Sequence, residues 1–480
     1  MRLAKAIALA AIPSLLMTAC GGGNTAPSVS SQSLHGAPVA GGATTQTKMY
    51  DQSANDLHGG GATFPAQAYN GASQPVGNWF DNQPLPATNS LFDQSHYGGT
   101  AGVYYCLTGS GFGRGVYTGA STTEATQPCA ALGLSPTGFG GRQDPPDFAG
   151  SDQGMLTTDY STYLSVREGG VQGGGLGEPF EMASIAGPIV FPYHQSNLTG
   201  LGSKVLKLSR WTYCAIANGT VSNWNDPAIT ADNGGHQANS NSAITFVYRS
   251  DGSGTSYLFQ NHLQTICGST WPAPYNAAPY ESPGHSALWG RGTGTHWLGP
   301  TGGIFIGESG NPGVVAEIQA VQSATGYAEG AYIPGTGLTQ ARLQNHAGNF
   351  TSATVATSVA AGVNTMKTIM GGASDNPVAG GLGSSRSECV FFVDPNSFDD
   401  PTSTNAYPIV GNSYLLFYGK GQISGHFSNL QKLMNYVISA AAGTQLKGLE
   451  YAPLPQSIRS VESQAINGKG SYLHKPCFAP

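Results

Sequence analysis

Short runs rich in β-branched and aromatic residues alternate with amphipathic stretches along most of this 480-residue chain, and no other feature narrows the fold as far. Val103–Cys106, Ile185–Tyr193, Ile244–Tyr248, Ile304–Ile306, Cys389–Val393 and Tyr414–Tyr418 read as strands. Leu258–Ile266, Gly313–Val321, Ala356–Met370 and Leu430–Ala442 carry apolar residues at helical spacing. Such alternation predicts an α/β protein with mainly parallel sheets, because a parallel crossover needs a connection long enough to hold a helix. The length suits two or three domains. Gly/Pro/Asn-rich stretches at about 73–101 and 268–300 read as surface insertions.

Only 10% of the residues are charged, and 20 basic against 26 acidic residues leave a net charge of −6. Without a basic field to bind them, this balance argues against nucleic acid or anionic membrane as the main partner. Six Trp, 18 Phe and 22 Tyr supply ample material for packed cores. At the N-terminus, Arg2 and Lys5 precede an apolar stretch from Ala6 to Met17, too short to span a bilayer. It closes on Leu16-Met17-Thr18-Ala19-Cys20, which resembles the bacterial lipobox, where small residues admit the signal peptidase and the thiol accepts lipid. A plain signal peptide is the simpler alternative. The expectation is a signal peptide at 1–19, a lipidated Cys20, and a flexible tether over 20–55 built from Gly, Ala, Ser, Thr and Gln. This places the chain in the bacterial cell envelope, as a periplasmic or outer-membrane lipoprotein.

Six further cysteines, an even set in an exported chain, read as three disulfides. Six cysteines allow fifteen pairings. Joining neighbours in sequence gives Cys106–Cys129 and Cys214–Cys267 and leaves Cys389–Cys477. Zinc is the competing use, but neither Cys-x-x-Cys nor His-Glu-x-x-His spacing occurs, so no metal and no cofactor are expected.

Four segments share one design, a glycine-rich or small-polar loop leading into a helix. They are Gly59-Gly60-Gly61-Ala62-Thr63-Phe64-Pro65, Thr108-Gly109-Ser110-Gly111-Phe112-Gly113-Arg114, Ala149-Gly150-Ser151-Asp152 and Arg249-Ser250-Asp251-Gly252-Ser253-Gly254-Thr255-Ser256. A helix N-terminus presents unpaired N–H groups and the positive end of the helix dipole, and both favour an anion. Glycine allows close backbone approach, hydroxyls add donors, and Arg249 supplies a planar fork suited to a tetrahedral oxyanion. Any one such loop is ordinarily just a helix start. None is a P-loop or a dinucleotide fingerprint. Asp152 is the informative member: a carboxylate repels a bound anion unless one of the two carries a proton. Phosphate still has a proton to donate at neutral pH and sulfate does not, so Asp152 would select phosphate. The alternative is a plain N-cap for a helix around Leu156–Leu164.

In this order, the four segments resemble the high-affinity phosphate-binding (PstS-type) proteins of bacterial phosphate ABC transporters. So do Asn197-Leu198-Thr199-Gly200, the stretch from Gly219 to Ile229, Ala324-Thr325-Gly326-Tyr327, Tyr407-Pro408-Ile409 and Leu449–Pro455. Asp56-Leu57-His58-Gly59-Gly60-Gly61 resembles the start of the DING branch, which also carries cysteines where Cys214 and Cys267 fall. The resemblance implies a two-lobed periplasmic-binding-protein fold of type II, with the ligand in a cleft between lobes joined by two crossing strands near 186–193 and 407–416. Lobe I would be 56–185 plus 411–480, and lobe II 186–410. It further implies phosphate held by Thr63, Phe64, Ser110, Asp152, Arg249, Ser253, Gly254 and Thr255, with Asp251 orienting the arginine. The implied partners are inorganic phosphate and an inner-membrane ABC permease, for a non-catalytic monomer. The chain is longer than a typical member. Two rival uses of the fold are a DING-type phosphatase, which would need an activated nucleophile or metal, and a surface-exposed phosphate scavenger or adhesin.

Overall fold

The computed structural model describes residues 38–43, 91–100, 102–107, 109–120, 145–168, 175–239, 241–267, 304–369, 389–420, 426–448, 450–468 and 476–480. All belong to one compact unit, Ser33–Pro480. Cys20, Thr63, Phe64 and Cys129 lie outside the described residues, as do the signal peptide and most of both expected insertions.

One sheet begins with β1 (Val39–Gly42), which pairs in parallel with both β2 (Tyr104–Leu107) and β3 (Phe148–Ser151). The expected tether therefore contributes a strand to the sheet. Four residues, half of them glycine, carry too little periodicity to read as a strand, and the parallel partners supply what the local sequence lacks. Gly42 is required there: at φ +133° a Cβ would lie 2.0 Å from the Gly150 carbonyl oxygen.

The long strand β4 (Pro179–Val190) is buried over its whole length and feeds directly into β5 (Pro192–Tyr193). The chain continues through β6 (Lys207–Leu208), β7 (Thr245–Arg249), β8 (Ile304–Glu308) and β9 (Ala324–Gly326) to β10 (Ala328–Glu329). It then forms β11 (Thr339–Gln340), β12 (Arg342–Gln344), β13 (Phe350–Thr351), β14 (Thr368–Ile369), β15 (Phe392–Val393), β16 (Val410–Tyr418) and β17 (Ala452–Pro453). The first sheet runs β10-β4-β16-β3-β1-β2, with β17 on β4. The second runs β11-β5-β9-β7-β8. The sheets are mixed instead of mainly parallel. In the second, β7 is parallel to β8 and β9. In the first, β16 runs antiparallel to β3 and, along nearly all its length, to β4. A chain that leaves one sheet for the other and returns must insert its return strand in the opposite sense.

Among the described residues, the α-helices of eight residues or more are α1 (Ser110–Thr118), α2 (Arg210–Ala217), α3 (Gly254–Cys267), α4 (Gly310–Ala320), α5 (Phe427–Val437), α6 (Ala440–Gly448) and α7 (Gln456–Asn467). The expected helix at Leu430–Ala442 divides into α5 and α6, where the Ser439 Oγ accepts from the Ala442 N–H and restarts the helix. Ala356–Met370 is not one helix either. A five-residue π-helix, Val355–Val359, runs into a single turn, Ala360–Val363, before β14. Val355, Thr357 and Val359 are β-branched and propagate a helix poorly.

Two cores hold the sheets. Phe92, Tyr105, Phe148, Phe180, Phe417 and Phe478 pack with α5 on the first sheet. Phe191, Tyr213, Phe246, Phe259 and Tyr327 pack on the second. Burying each such ring contributes roughly 1.5–3 kcal/mol against leaving it in water. Cys214 of α2 is joined to Cys267 at the end of α3, with Cα atoms 5.7 Å apart, and Cys389 to Cys477, at 5.4 Å. These are two of the three expected pairs. No helix among the described residues is long and apolar enough to cross a membrane.

Candidate functional site

On the first sheet, three neighbouring strands end together. The N–H of Gly109 donates to the Gly42 carbonyl at 2.8 Å, and a Cβ on Gly113 would sit 2.6 Å from Gly42 Cα. Glycines thus let the start of α1 lie directly on β1 and β3. That contact brings Ser110 to Asp152, 42 positions later. The Asp152 N–H donates to Ser110 Oγ at 3.1 Å, Ser110 Oγ lies 3.5 Å from Asp152 Oδ2, and the Ser413 hydroxyl donates to Oδ1. Asp152 is not an N-cap. The following helix starts only at Thr157, with Leu156 at its cap position and the Leu156 N–H bonded to the Asp159 carboxylate at 3.1 Å.

On the second sheet, β7 ends in Arg249 and the loop after it opens α3 at Gly254. Arg249 is buried to 1% exposure, and its guanidinium donates to both oxygens of Asp251, at 2.6 and 2.5 Å, and to Thr255 Oγ1 at 3.2 Å. The Gly310 N–H at the start of α4 donates to Asp251 at 3.0 Å. Asp251 therefore fixes the fork of the arginine, as its expected role requires, and a buried charge pair is tolerable only with such added hydrogen bonds.

The two halves meet. The Gly111 N–H donates to the Gly252 carbonyl at 2.8 Å, and a Cβ on Gly254 would lie 2.5 Å from both Asp152 Cβ and Ser110 Oγ. Gly109, at φ +81°, has room for no side chain because Asp251 Oδ2 stands 2.6 Å from where its Cβ would be. Ser110, Asp152, Arg249, Asp251, Ser253, Gly254 and Thr255 thus form one buried cluster, with two helix N-termini, α1 and α3, opening on it.

Thr63 and Phe64 cannot be placed against this cluster. The adjoining strand, β1, ends in Gly41-Gly42, and in the sequence Gly41-Gly42-Ala43-Thr44 repeats the four residues Gly60-Gly61-Ala62-Thr63. Sequence reasoning missed Ser413, which comes from β16 at a register irregularity between Ser413 and Tyr414. It also missed Asn311 and assigned no role to Tyr327. The Tyr327 hydroxyl accepts the Arg249 N–H at 3.1 Å and pairs with Ser256 Oγ at 2.6 Å, while Asn311 donates to Thr255 Oγ1 at 3.4 Å. A tyrosine closing the Ala324–Tyr327 segment was visible in the sequence; nothing in the sequence marks Ser413.

Behind Asp152 lies Glu181, fully buried on β4, whose Oε2 accepts the Met155 N–H at 2.6 Å. Burial pushes its carboxyl up to about 8; the Met155 bond and Arg114 oppose that rise, and Asp159 adds to it. Tyr117 and Tyr414 lie within electrostatic reach of it, with their hydroxyls bonded to the Phe417 carbonyl and the Val393 N–H. The folded protein then holds a proton that the unfolded chain releases above about pH 4.5, so stability should fall as pH rises from about 5 to about 8. Buried Glu462 is shifted in the same direction by the same cause. Glu181→Gln should make the fall shallower in urea unfolding measured across that range; identical slopes would remove Glu181 from this account.

The family model of a PBP superfamily domain matches residues 141–441. The chain belongs to that superfamily. Phosphate-binding protein PstS 2 of Mycobacterium tuberculosis is 28% identical over 325 residues, which is 67% of this chain and 73% of that protein. Phosphate-binding protein PstS of Methanocaldococcus jannaschii is 26% identical over 337 residues, covering 68% and 72%. In three dimensions the chain is similar to a high-affinity periplasmic phosphate-binding protein, PfluDING, whose structure contains phosphate. The TM-score is 0.57 at 18% identity, over 89% of this chain and 93% of that one. The architecture of two mixed sheets, with β4 of the first running on into β5 of the second, is the type II periplasmic-binding-protein fold.

Proposed function

We propose that this PBP-superfamily protein binds inorganic phosphate in the cell envelope, as the non-catalytic substrate-binding component of a phosphate ABC uptake system. The observation that carries the reading is the convergence of two helix N-termini and a buried, Asp-oriented arginine on one carboxylate, Asp152. Ser110, Ser253, Gly254, Thr255 and Arg249 would donate to phosphate oxygens, replacing the water lost on burial. Thr63 and Phe64 remain proposed donors from the segment before α1. Asp152 already accepts hydroxyls from Ser110 and Ser413, so an O–H of the ligand is the further donor it would take. Sulfate has none to offer.

Ligand bridging the two sheets would favour the closed arrangement, a change of state for a permease to read. Lobe boundaries at 185/186 and 410/411, a lipid anchor at Cys20 and a monomeric state complete the proposal. A phosphatase is disfavoured because the Ser110 hydroxyl is bonded to Asp152, a partner that orients it without the imidazole geometry of an activated serine nucleophile.

The test is calorimetric titration of phosphate, with sulfate as control, into protein unfolded and refolded to strip ligand. Saturable one-to-one phosphate binding with sulfate silent is expected. Asp152→Asn should weaken phosphate and narrow its advantage over sulfate, because the amide neither repels sulfate nor requires the ligand's proton. Equal binding of the two anions by the unaltered protein would end the proposal.

A further inference from the structure

Among the described residues of this charge-poor chain, three cations gather at a second place. Arg114, Arg210 and Arg249 are each committed to a carboxylate, while Arg167 and Arg459 donate to backbone carbonyls. Lys204, Lys207 and Arg342 instead line one depression of about 620 Å³, together with His236, Ser203 and Gly234. Among the described residues none of these three cations has a carboxylate ion partner.

Their arrangement is costly in isolation. Lys207 on β6 and Arg342 on β12 are register partners in a parallel pair, so two like charges project from neighbouring positions of one face. The Lys204 ammonium lies 2.6 Å from His236 Nε2. An ammonium can only donate, so Nε2 accepts and the ring N–H sits on Nδ1 as a further donor. The cations are also braced. Asn233 clamps the Lys207 backbone, accepting from its N–H and donating to its carbonyl, both at 3.0 Å. Gly234 and Gly235, at φ +69° and +85°, make the turn that returns the chain to His236. The Lys204 carbonyl accepts from Gln195 at 3.2 Å, and the Arg342 N–H is held by the Leu206 carbonyl at 2.8 Å.

We propose that this depression is a second anion site, taking a ligand with two or more phosphate charges: a condensed phosphate or the head group of an anionic lipid. Three cations without a carboxylate partner, with Lys207 Nζ 5.5 Å from the centre of the Phe350 ring, sit on fixed backbone and match several linked phosphate charges better than one tetrahedral ion. Bound anion would remove the like-charge repulsion between Lys207 and Arg342. The site belongs to a different sheet from Arg249 and does not depend on the function proposed for that cluster.

The experiment uses the full chain with orthophosphate already at saturating concentration. Sodium tripolyphosphate is titrated in, and in parallel the protein is sedimented with phosphatidylcholine vesicles with or without cardiolipin, whose head group carries two linked phosphates. Saturable, salt-sensitive binding is expected in at least one arm, weakened tenfold or more by the double substitution Lys204→Ala/Arg342→Ala. Orthophosphate titration of the same variant should be unchanged, which separates this site from the other and shows the variant folded. Tripolyphosphate binding assigns a soluble ligand; retention only by cardiolipin vesicles assigns a lipid head group. Silence in both arms, or binding that the double substitution leaves intact, overturns the proposal.

Discussion

Arg249→Ala is expected to weaken phosphate binding by roughly 100-fold or more, the equivalent of about 3 kcal/mol. The guanidinium is the one full positive charge in the buried cluster, and Asp251 holds it in a single orientation through two hydrogen bonds. Removing it takes away a charge-assisted donor and leaves the Asp251 carboxylate buried with the Gly310 N–H as its remaining described hydrogen bond. An uncompensated buried charge costs about 3–5 kcal/mol. The single variant should therefore also lose stability. Arg249→Ala/Asp251→Asn separates the two effects: neutralising the orphaned acid should restore much of the stability without restoring affinity. Titration calorimetry and urea unfolding on all three proteins read both quantities. Unchanged phosphate affinity in Arg249→Ala would sink the site assignment.

Gly254→Val is expected to reduce affinity by a comparable factor through a different route. Gly254 is the first residue of α3, and a Cβ there would overlap Asp152 Cβ and Ser110 Oγ at 2.5 Å and the Asp152 Cα at 2.8 Å. Those atoms belong to the other half of the cluster, so a branched side chain acts as a wedge between the halves. Local helix geometry tolerates valine at a first turn, so the strain falls on closure. The expected result is phosphate binding weakened roughly 100-fold, with a smaller loss of unfolding free energy than in Arg249→Ala. Small-angle scattering with and without phosphate should show a compaction in the unaltered protein that the variant lacks. Full affinity in Gly254→Val would mean that the two halves need not approach as closely as they do here.

Much of the candidate site was legible because its members lie in short segments with local signatures. Gly-Ser-Gly before a helix, Asp in a small-polar loop, and Arg two positions before Asp are patterns whose chemistry follows from residue type and spacing alone. The buried strands at Ile185–Tyr193 and Tyr414–Tyr418 were legible for the same reason, since long apolar runs bounded by turn residues have few other uses. Two of the cysteine pairings followed from sequence order.

What the tertiary structure decided is of another kind. Val39–Gly42 becomes a strand through hydrogen bonds to β2 and β3, partners 62 or more positions away, so its composition reads as linker. Ser413 reaches Asp152 across 261 positions, and Tyr327 reaches Arg249 across 78, through register in sheets that no local pattern encodes. The direction of β16 is set by the return of the chain between sheets. Lys207 and Arg342 look like solitary surface charges until strand pairing sets them side by side. Residue chemistry and short-range spacing determine which groups could hold an anion; long-range backbone pairing alone determines which of them meet.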